Sequence, residues 1–119
     1  MKRYIFLFAL CALALVGCED KNGVKYSDYP IAGKSYITKD YTDWYNIYRF
    51  YNNGECDAES YINGKYVDTI DDYYWWMEND SIFIDCGKDG YKREYKFLKG
   101  FYHNGNITIS GTEYIPTEK

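Results

Sequence analysis

The sequence predicts a small all-β domain, a single antiparallel up-and-down barrel of about eight strands, with a β-sandwich as the alternative. Composition is the first observation: the 119 residues include 16 Tyr, 6 Phe and 3 Trp, and such aromatic side chains are typical of strands. The second is the shortage of helix formers, since Leu98 is the only leucine after residue 17. The third is a series of turn signals at hairpin intervals, among them Asn53-Gly54, Asn63-Gly64 and Asn104-Gly105.

Runs of strand length and strand composition lie between these turns. No internal stretch has the apolar period of about 3.6 residues that an amphipathic helix requires. We expect strands at about 34–40, 44–52, 55–62, 65–70, 73–79, 81–86, 91–98 and 106–114. Turns are expected at Asp71-Asp72 and Lys99-Gly100.

Alternation of apolar and polar residues assigns the faces of these strands, as in a sheet with one buried side. In 55–62 and 81–86 it places Cys56 and Cys86 inward, and it leaves Phe83 on the outer face. In the run 91–98 the inward positions are Tyr91, Arg93, Tyr95 and Phe97.

The N-terminus predicts an exported protein. Lys2 and Arg3 form a positive n-region, and 4–16 is an uninterrupted apolar stretch, shorter than the roughly 20 residues that span a bilayer. Leu15-Val16-Gly17-Cys18 resembles the lipobox of bacterial lipoproteins. The resemblance implies cleavage before Cys18 and acylation of that cysteine, which would attach the mature chain to a membrane.

These signals divide the chain into three parts. We expect a signal peptide at 1–17, a flexible tether at 18–32 that begins with lipidated Cys18, and a barrel domain at 33–119. The acidic pair Glu19-Asp20 resembles the export signal of some Bacteroidetes lipoproteins. The expected location is therefore the outer membrane, with the domain either facing the periplasm or exposed at the surface.

Charge limits the classes of partner. Removal of Lys2 and Arg3 leaves 12 basic against 18 acidic residues, a net charge of −6 for the mature chain. An acidic chain without a basic cluster is not expected to bind nucleic acid. The expected membrane contact is the lipid anchor.

Two cysteines remain in the domain, Cys56 and Cys86, and an oxidising compartment favours a disulfide between them. The alternatives are two buried thiols or a metal pair. Zinc is not expected, because His103 is the only histidine and no close ligand spacing occurs.

A family resemblance extends over most of residues 33–115. It rests on the lipobox followed by Gly33-Lys34-Ser35-Tyr36, Tyr48-Arg49-Phe50-Tyr51-Asn52-Asn53-Gly54, Trp75-Trp76-Met77-Glu78-Asn79-Asp80-Ser81-Ile82 and Ile107-Thr108-Ile109-Ser110-Gly111. With these segments the chain resembles the small lipocalin-like lipoproteins of gut Bacteroidetes. The resemblance implies a lipocalin-like barrel, although the many bulky aromatic residues favour an interior filled by side chains.

Aromatic residues supply the candidate binding sites. In 73–79 one face carries Tyr73, Trp75 and Met77, so Tyr74 and Trp76 point to the other face, where they could stack on a sugar or contact a protein. Cross-strand packing is the alternative reading. The remaining candidate binding residues are Trp44, Tyr45 and Arg93.

Asp68-Thr69-Ile70 and Asp80-Ser81-Ile82 resemble the short acceptor motif of Bacteroidetes O-glycosylation, which makes Thr69 and Ser81 candidate sites. No catalytic constellation, phosphate loop or cofactor motif occurs, so we expect a protein that is not an enzyme and needs no cofactor or metal. The expected function is a lipid-anchored binding or interaction module of the cell envelope, with a glycan or protein partner. Alternatives are a lipocalin-like carrier of a small apolar ligand and an accessory lipoprotein without a ligand.

Overall fold

The computed structural model shows one closed antiparallel barrel in which each strand pairs with the next and the last pairs with the first. The structure describes residues 19–20, 22–87 and 97–119. The strands are β1 (Lys34–Thr38), β2 (Trp44–Phe50), β3 (Glu55–Ile62), β4 (Lys65–Glu78), β5 (Ser81–Asp85), β6 (Phe97–His103), β7 (Asn106–Ile109) and β8 (Thr112–Thr117). The predicted eight-stranded up-and-down barrel is confirmed, and the sandwich alternative is wrong because the sheet closes on itself.

The two ends of the barrel differ. The loops at 51–54, 79–80 and 104–105 form what we call the closed end, and those at 39–43, 63–64 and 110–111 form the open end. Asn-Gly pairs make hairpins at both ends as predicted: φ is 54° at Asn63 and 77° at Gly64. Positive φ at both central residues matches the right-handed twist of the adjoining strands.

The predicted strands at 65–70 and 73–79 are one continuous strand, β4. The pairing of β3 with β4 passes from Cys56 opposite Tyr73 to Ala58 opposite Ile70, so Asp71 and Asp72 together oppose a single residue. This is a β-bulge, and Asp72 within it adopts a positive φ of 65°. The expected turn at Asp71-Asp72 is therefore wrong, because the acidic pair changes the register of the strand without ending it.

Two further corrections concern the C-terminal half. The predicted strand 106–114 is divided into β7 and β8 by a turn at Ser110-Gly111, whose φ values are 50° and 84°. The predicted turn at Lys99-Gly100 lies inside β6. A Cβ at Gly100 would stand 2.2 Å from the Thr108 carbonyl oxygen, so this glycine permits a close approach of β6 and β7 and does not mark a turn.

The predicted strand 91–98 lies outside the described residues except for its last two positions. Phe97 is 52% exposed and Leu98 is buried, so the inward assignment of Phe97 is wrong. The assignments of Tyr91, Arg93 and Tyr95 lie outside the described residues.

Aromatic side chains fill the interior at the closed end. Trp75 has no exposed surface, and its ring meets those of Tyr26 at 4.9 Å and Phe50 at 5.5 Å in edge-to-face contacts. The Trp75 indole N–H donates to the Tyr51 carbonyl oxygen at 3.0 Å. The predicted inward position of Tyr48 is confirmed, and its ring contacts Tyr114 at 5.2 Å.

The segment expected to be a flexible tether is packed against the closed end. Tyr26–Asp28 forms a 3-10 turn, the Tyr26 ring covers Gly54, and Ile31 is fully buried. Burial of these apolar side chains fixes the segment to the barrel. The tether prediction is therefore wrong for residues 26–32, which belong to the domain.

The predicted disulfide is not formed, and both Cys56 and Cys86 are free, buried thiols. Cys56 on β3 pairs with Tyr73 on β4. On the other edge of β4, Tyr74 pairs with Asp85, so Cys86 lies beyond β4 from Cys56. Two strand spacings separate the cysteine backbones, roughly 9–10 Å, beyond the about 7 Å that a disulfide tolerates. Burial raises the pKa of both thiols, which keeps them protonated.

Candidate functional site

A cavity of about 130 Å³ opens at the open end of the barrel, between strands β2, β6, β7 and β8. Its apolar walls are Trp44, Tyr48, Leu98, Ile109 and Tyr114, and its polar groups are Asn46, Ser110 and Thr112. We call it the mouth cavity. Its volume suits a single ring or a few water molecules, since a dry cavity of about 150 Å³ holds benzene.

Four tyrosines form a continuous row on the outer face next to this mouth. Tyr45 on β2 is paired with Tyr61 on β3, which is paired with Tyr66 on β4, and Tyr41 precedes β2. Ring centroids are 4.7 Å apart for Tyr41 and Tyr45, 4.8 Å for Tyr45 and Tyr61, and 5.9 Å for Tyr61 and Tyr66. We call these four residues the tyrosine row. Cross-strand aromatic contacts of this kind stabilise the sheet and fix the rings in place.

The ring planes determine what the tyrosine row offers to a partner. Tyr45 and Tyr61 stack with only 11° between their planes, so each covers a face of the other. Tyr41 and Tyr66, at the two ends, are 44% and 57% exposed. Partial burial and the neighbouring Glu59 carboxylate raise the pKa of Tyr61, so its hydroxyl stays a neutral donor at neutral pH.

The structure separates two residues that the sequence placed side by side as candidates. Trp44 is 49% exposed and lines the mouth cavity, whereas Tyr45 points to the outer face and joins the tyrosine row. Successive side chains of a strand point to opposite faces, so this division follows from the strand itself. Trp44 and Tyr45 thus serve two different surfaces that meet at one rim.

A second aromatic surface covers the outer face of β4, β5 and β6. The predicted outward positions of Tyr74 and Trp76 hold, with Tyr74 53% exposed and Trp76 half-buried. Trp76 stacks on Phe83 at 5.5 Å, and its ring edge meets Phe97 at 6.5 Å. With Phe101, which is 49% exposed, they form a surface that we call the aromatic wall: Tyr74, Trp76, Phe83, Phe97 and Phe101.

The sequence does not predict two of the five residues of this wall. Alternation assigns Phe97 to the interior, and Phe101 follows the predicted turn at Lys99-Gly100. The signal that would have found them is the register of β5 with β6, which pairs Phe83 with Lys99 and Ser81 with Phe101. The Lys99 ammonium stands 5.6 Å from the Phe83 ring centre and is the one cation described within the wall.

A polar network on the outer face of β2 and β3 was also missed. The Arg49 guanidinium pairs with Glu59, lies 3.6 Å from an Asp57 carboxylate oxygen, and donates to the Lys119 carbonyl oxygen at 2.8 Å. The Tyr51 hydroxyl donates to Asp57, and that hydrogen bond raises the pKa of Tyr51 to about 12. These two carboxylates are occupied by a cation and a phenol, an arrangement that stabilises the sheet.

The candidate glycosylation residues lie in different surroundings. Thr69 is exposed on β4 near the open end, and its hydroxyl is paired with that of Tyr66. Ser81 begins β5 at the closed end, is half-buried, and pairs with Phe101 of the aromatic wall. The candidate binding residue Arg93 and the predicted lipidation site Cys18 lie outside the described residues.

Within residues 19–20, 22–87 and 97–119 there is no group of three or more His, Cys, Asp or Glu side chains placed to hold a metal ion. The same part of the chain contains no helix of the length and apolar character needed to cross a membrane. Comparison of the sequence with protein-family profiles and curated proteins, and of the fold with solved structures, finds no significant match.

Proposed function

We propose that this protein is a lipid-anchored lipoprotein of the outer membrane whose barrel binds a protein partner through the tyrosine row. The lipobox ending at Cys18 supports the anchor. The observation that supports the binding role is the row itself, an ordered, solvent-facing set of aromatic side chains. Tyr is enriched at binding hot spots, because one side chain offers a large apolar area and a hydrogen-bonding hydroxyl at low entropic cost.

The orientation of the rings favours a protein over a glycan. A sugar binds an aromatic side chain by lying on a free ring face. At the centre of the row, Tyr45 and Tyr61 each cover one face of the other, and the Lys119 ammonium stands 5.8 Å from the Tyr45 ring centre. The ring surface, edges and hydroxyls that remain suit the mixed polar and apolar surface of a polypeptide. Val67, 52% exposed next to Tyr66, and Ile62, 51% exposed opposite Trp44 at the rim, add apolar area beside the row.

The mouth cavity extends this surface at the rim. Trp44 stands between the cavity and the outer face, so a partner on the tyrosine row can insert one side chain into the cavity. The carrier alternative draws less support from it, since about 130 Å³ falls below the roughly 300–1,000 Å³ of typical small-molecule sites.

Site-specific photo-crosslinking in the native host tests the proposal. A photoreactive amino acid replaces Tyr66 in the full chain, and the control carries it at Tyr51, an exposed tyrosine at the closed end. We expect a defined protein adduct at position 66 and none at position 51. The proposal is contradicted by an adduct that a glycosidase removes and a protease does not, or by equal labelling at both positions.

Affinity then provides a second measurement. For the partner identified by crosslinking, the exposed residues permit Tyr41→Ala and Tyr66→Ala without disturbing the core. Each substitution is expected to weaken binding about tenfold or more, as hot-spot truncations do. Loss of less than about twofold for both would place the contact elsewhere.

A further inference from the structure

The chain enters the fold at a fixed point next to β4. Asp20 is 8% exposed, and its carboxylate accepts hydrogen bonds from the backbone N–H groups of Asn22 at 2.8 Å and Val24 at 3.0 Å. It also accepts one from the Tyr29 hydroxyl, which lies 3.0 Å from the Met77 carbonyl oxygen. Burial and this bond to Asp20 raise the pKa of Tyr29, so the phenol keeps its proton. Asp20 is thereby held at the closed end, beside β4.

This fixed point lies very close to the predicted anchor. Cys18 is two residues before Asp20, and two fully extended residues span at most about 7 Å. A lipid attached at Cys18 therefore has almost no free chain between itself and the barrel. The closed end must lie at the membrane surface.

The aromatic wall occupies the neighbouring part of the barrel. Trp76 directly precedes Met77 on β4, and the Met77 carbonyl oxygen accepts the hydrogen bond from Tyr29. Phe101 pairs with Ser81 at the closed end. β3, at the centre of the tyrosine row, and β5, at the centre of the aromatic wall, are two positions apart in a ring of eight strands. The two surfaces therefore face directions about a quarter turn apart, and the row lies toward the open end.

The chemistry of the wall suits a lipid interface. Trp, Tyr and Phe are enriched in the headgroup region, where apolar rings are buried and polar edges remain wet. Lys99, within the wall, has the length to place its ammonium among lipid phosphates while its stem lies on the rings. Glu78 and Asp80 at its edge are exposed and would repel strongly anionic lipid, so a zwitterionic surface fits best.

We propose that the aromatic wall rests in the interfacial layer of the same membrane that holds the Cys18 lipid, so that the barrel lies on the outer face of β4–β6. This inference rests on the lipid anchor of the proposed function. The anchor brings the wall to the surface, and the wall fixes the orientation, as two membrane signals do together. The tyrosine row, which lies further around the barrel and toward the open end, then stays outside the bilayer, where a partner can reach it.

Depth-dependent quenching tests the orientation. The full acylated chain is placed in phosphatidylcholine vesicles, with a fluorophore on Lys99→Cys in the wall or, as the control, on Lys39→Cys at the open end; both positions are exposed and both changes remove one lysine. Cys56 and Cys86 are buried with raised thiol pKa values, so the label is confined to the new cysteine. With brominated acyl chains we expect fluorescence at position 99 to fall several-fold and that at position 39 to stay unchanged.

The outcomes separate the inference from the proposed anchor. Mass spectrometry reports acylation, and flotation reports attachment to the vesicles. A chain that is neither acylated nor attached contradicts the lipid anchor, and the inference fails with it. Attached protein with equal quenching at the two positions overturns the inference alone. The inference is also overturned if fluorescence at position 99 changes with protein concentration and not with bromination of the lipid, because a second copy of the chain then covers the wall.

Variants of the wall complete the test. The double substitution Phe97→Ser and Phe101→Ser changes two half-exposed side chains and should return quenching at position 99 to the level seen at position 39. The matched control Tyr66→Ser removes an equally exposed aromatic from the tyrosine row and should leave quenching unchanged. Equal effects of the two variants would contradict the assignment of the wall to the membrane.

Discussion

Replacing Ile31 with alanine tests whether the N-terminal segment is packed on the barrel or flexible. Ile31 has no exposed surface and belongs to the hydrophobic core that includes Tyr26 and Trp75. The change removes three carbon atoms, each contributing about 0.8 kcal/mol to stability when buried, or about 2.4 kcal/mol together. The cavity left behind adds to this, and isoleucine-to-alanine changes in cores cost about 2–5 kcal/mol. We expect a loss of about 3 kcal/mol.

Urea unfolding followed by near-ultraviolet circular dichroism of the aromatic core measures this loss. A fall of about 3 kcal/mol in a domain of this size corresponds to a decrease in Tm of about 12–24 °C. The matched control is Ser27→Ala in the exposed part of the same segment, for which a change within about 0.5 kcal/mol is expected. If Ile31→Ala were as harmless as Ser27→Ala, the segment would be a tether and the packing described above would be wrong.

Three further predictions concern stability and thiol chemistry. Gly54→Ala should cost more than about 1 kcal/mol in the same assay, because φ is 90° there and the new Cβ would lie 2.8 Å from the Tyr26 ring; a neutral change would contradict it. Burial raises the pKa of Tyr36 to about 12, so its contribution to stability is complete below about pH 10 and is lost as the pH rises through 12. The part of the phenolate absorbance that belongs to Tyr36, measured as the difference from Tyr36→Phe, should then appear in step with unfolding, and its appearance in folded protein at pH 10 would refute this. Cys56 and Cys86 should react with a thiol reagent only after unfolding; absence of reaction in the unfolded chain would indicate a bridge.

The sequence predicts the barrel because its local signals and its fold agree. Asn63-Gly64 and Asn104-Gly105 form the turns expected of them, and alternation correctly places Tyr48 inward and Tyr74 outward. The prediction of a turn at Asp71-Asp72 is wrong because a bulge uses the same residue types as a turn. Such an insertion depends on the partner strand, which no local pattern reports.

The remaining errors also have non-local causes. Gly100 lies inside a strand because β7 approaches it closely, and a single glycine does not distinguish that from a turn. The polar composition of 19–29 conceals the burial of Tyr26, and the hydrogen bond that joins this segment to β4, from the Tyr29 hydroxyl to the Met77 carbonyl oxygen, spans 48 residues. The sequence predicts only Tyr45 of the tyrosine row, since the order of the rings depends on cross-strand register.

Under the proposed function, the buried position of Asp20 has a consequence for the order of export and folding. The acidic pair Glu19-Asp20 resembles a sorting signal, yet in the folded protein the Asp20 carboxylate is enclosed by the N–H groups of Asn22 and Val24 and by Tyr29. Sorting machinery that reads this carboxylate has access to it only before the barrel closes. Folding would then end the period in which sorting machinery can bind this carboxylate. The same aspartate would act first as part of a sorting signal and afterwards as a hydrogen-bond acceptor that holds the N-terminal segment in place.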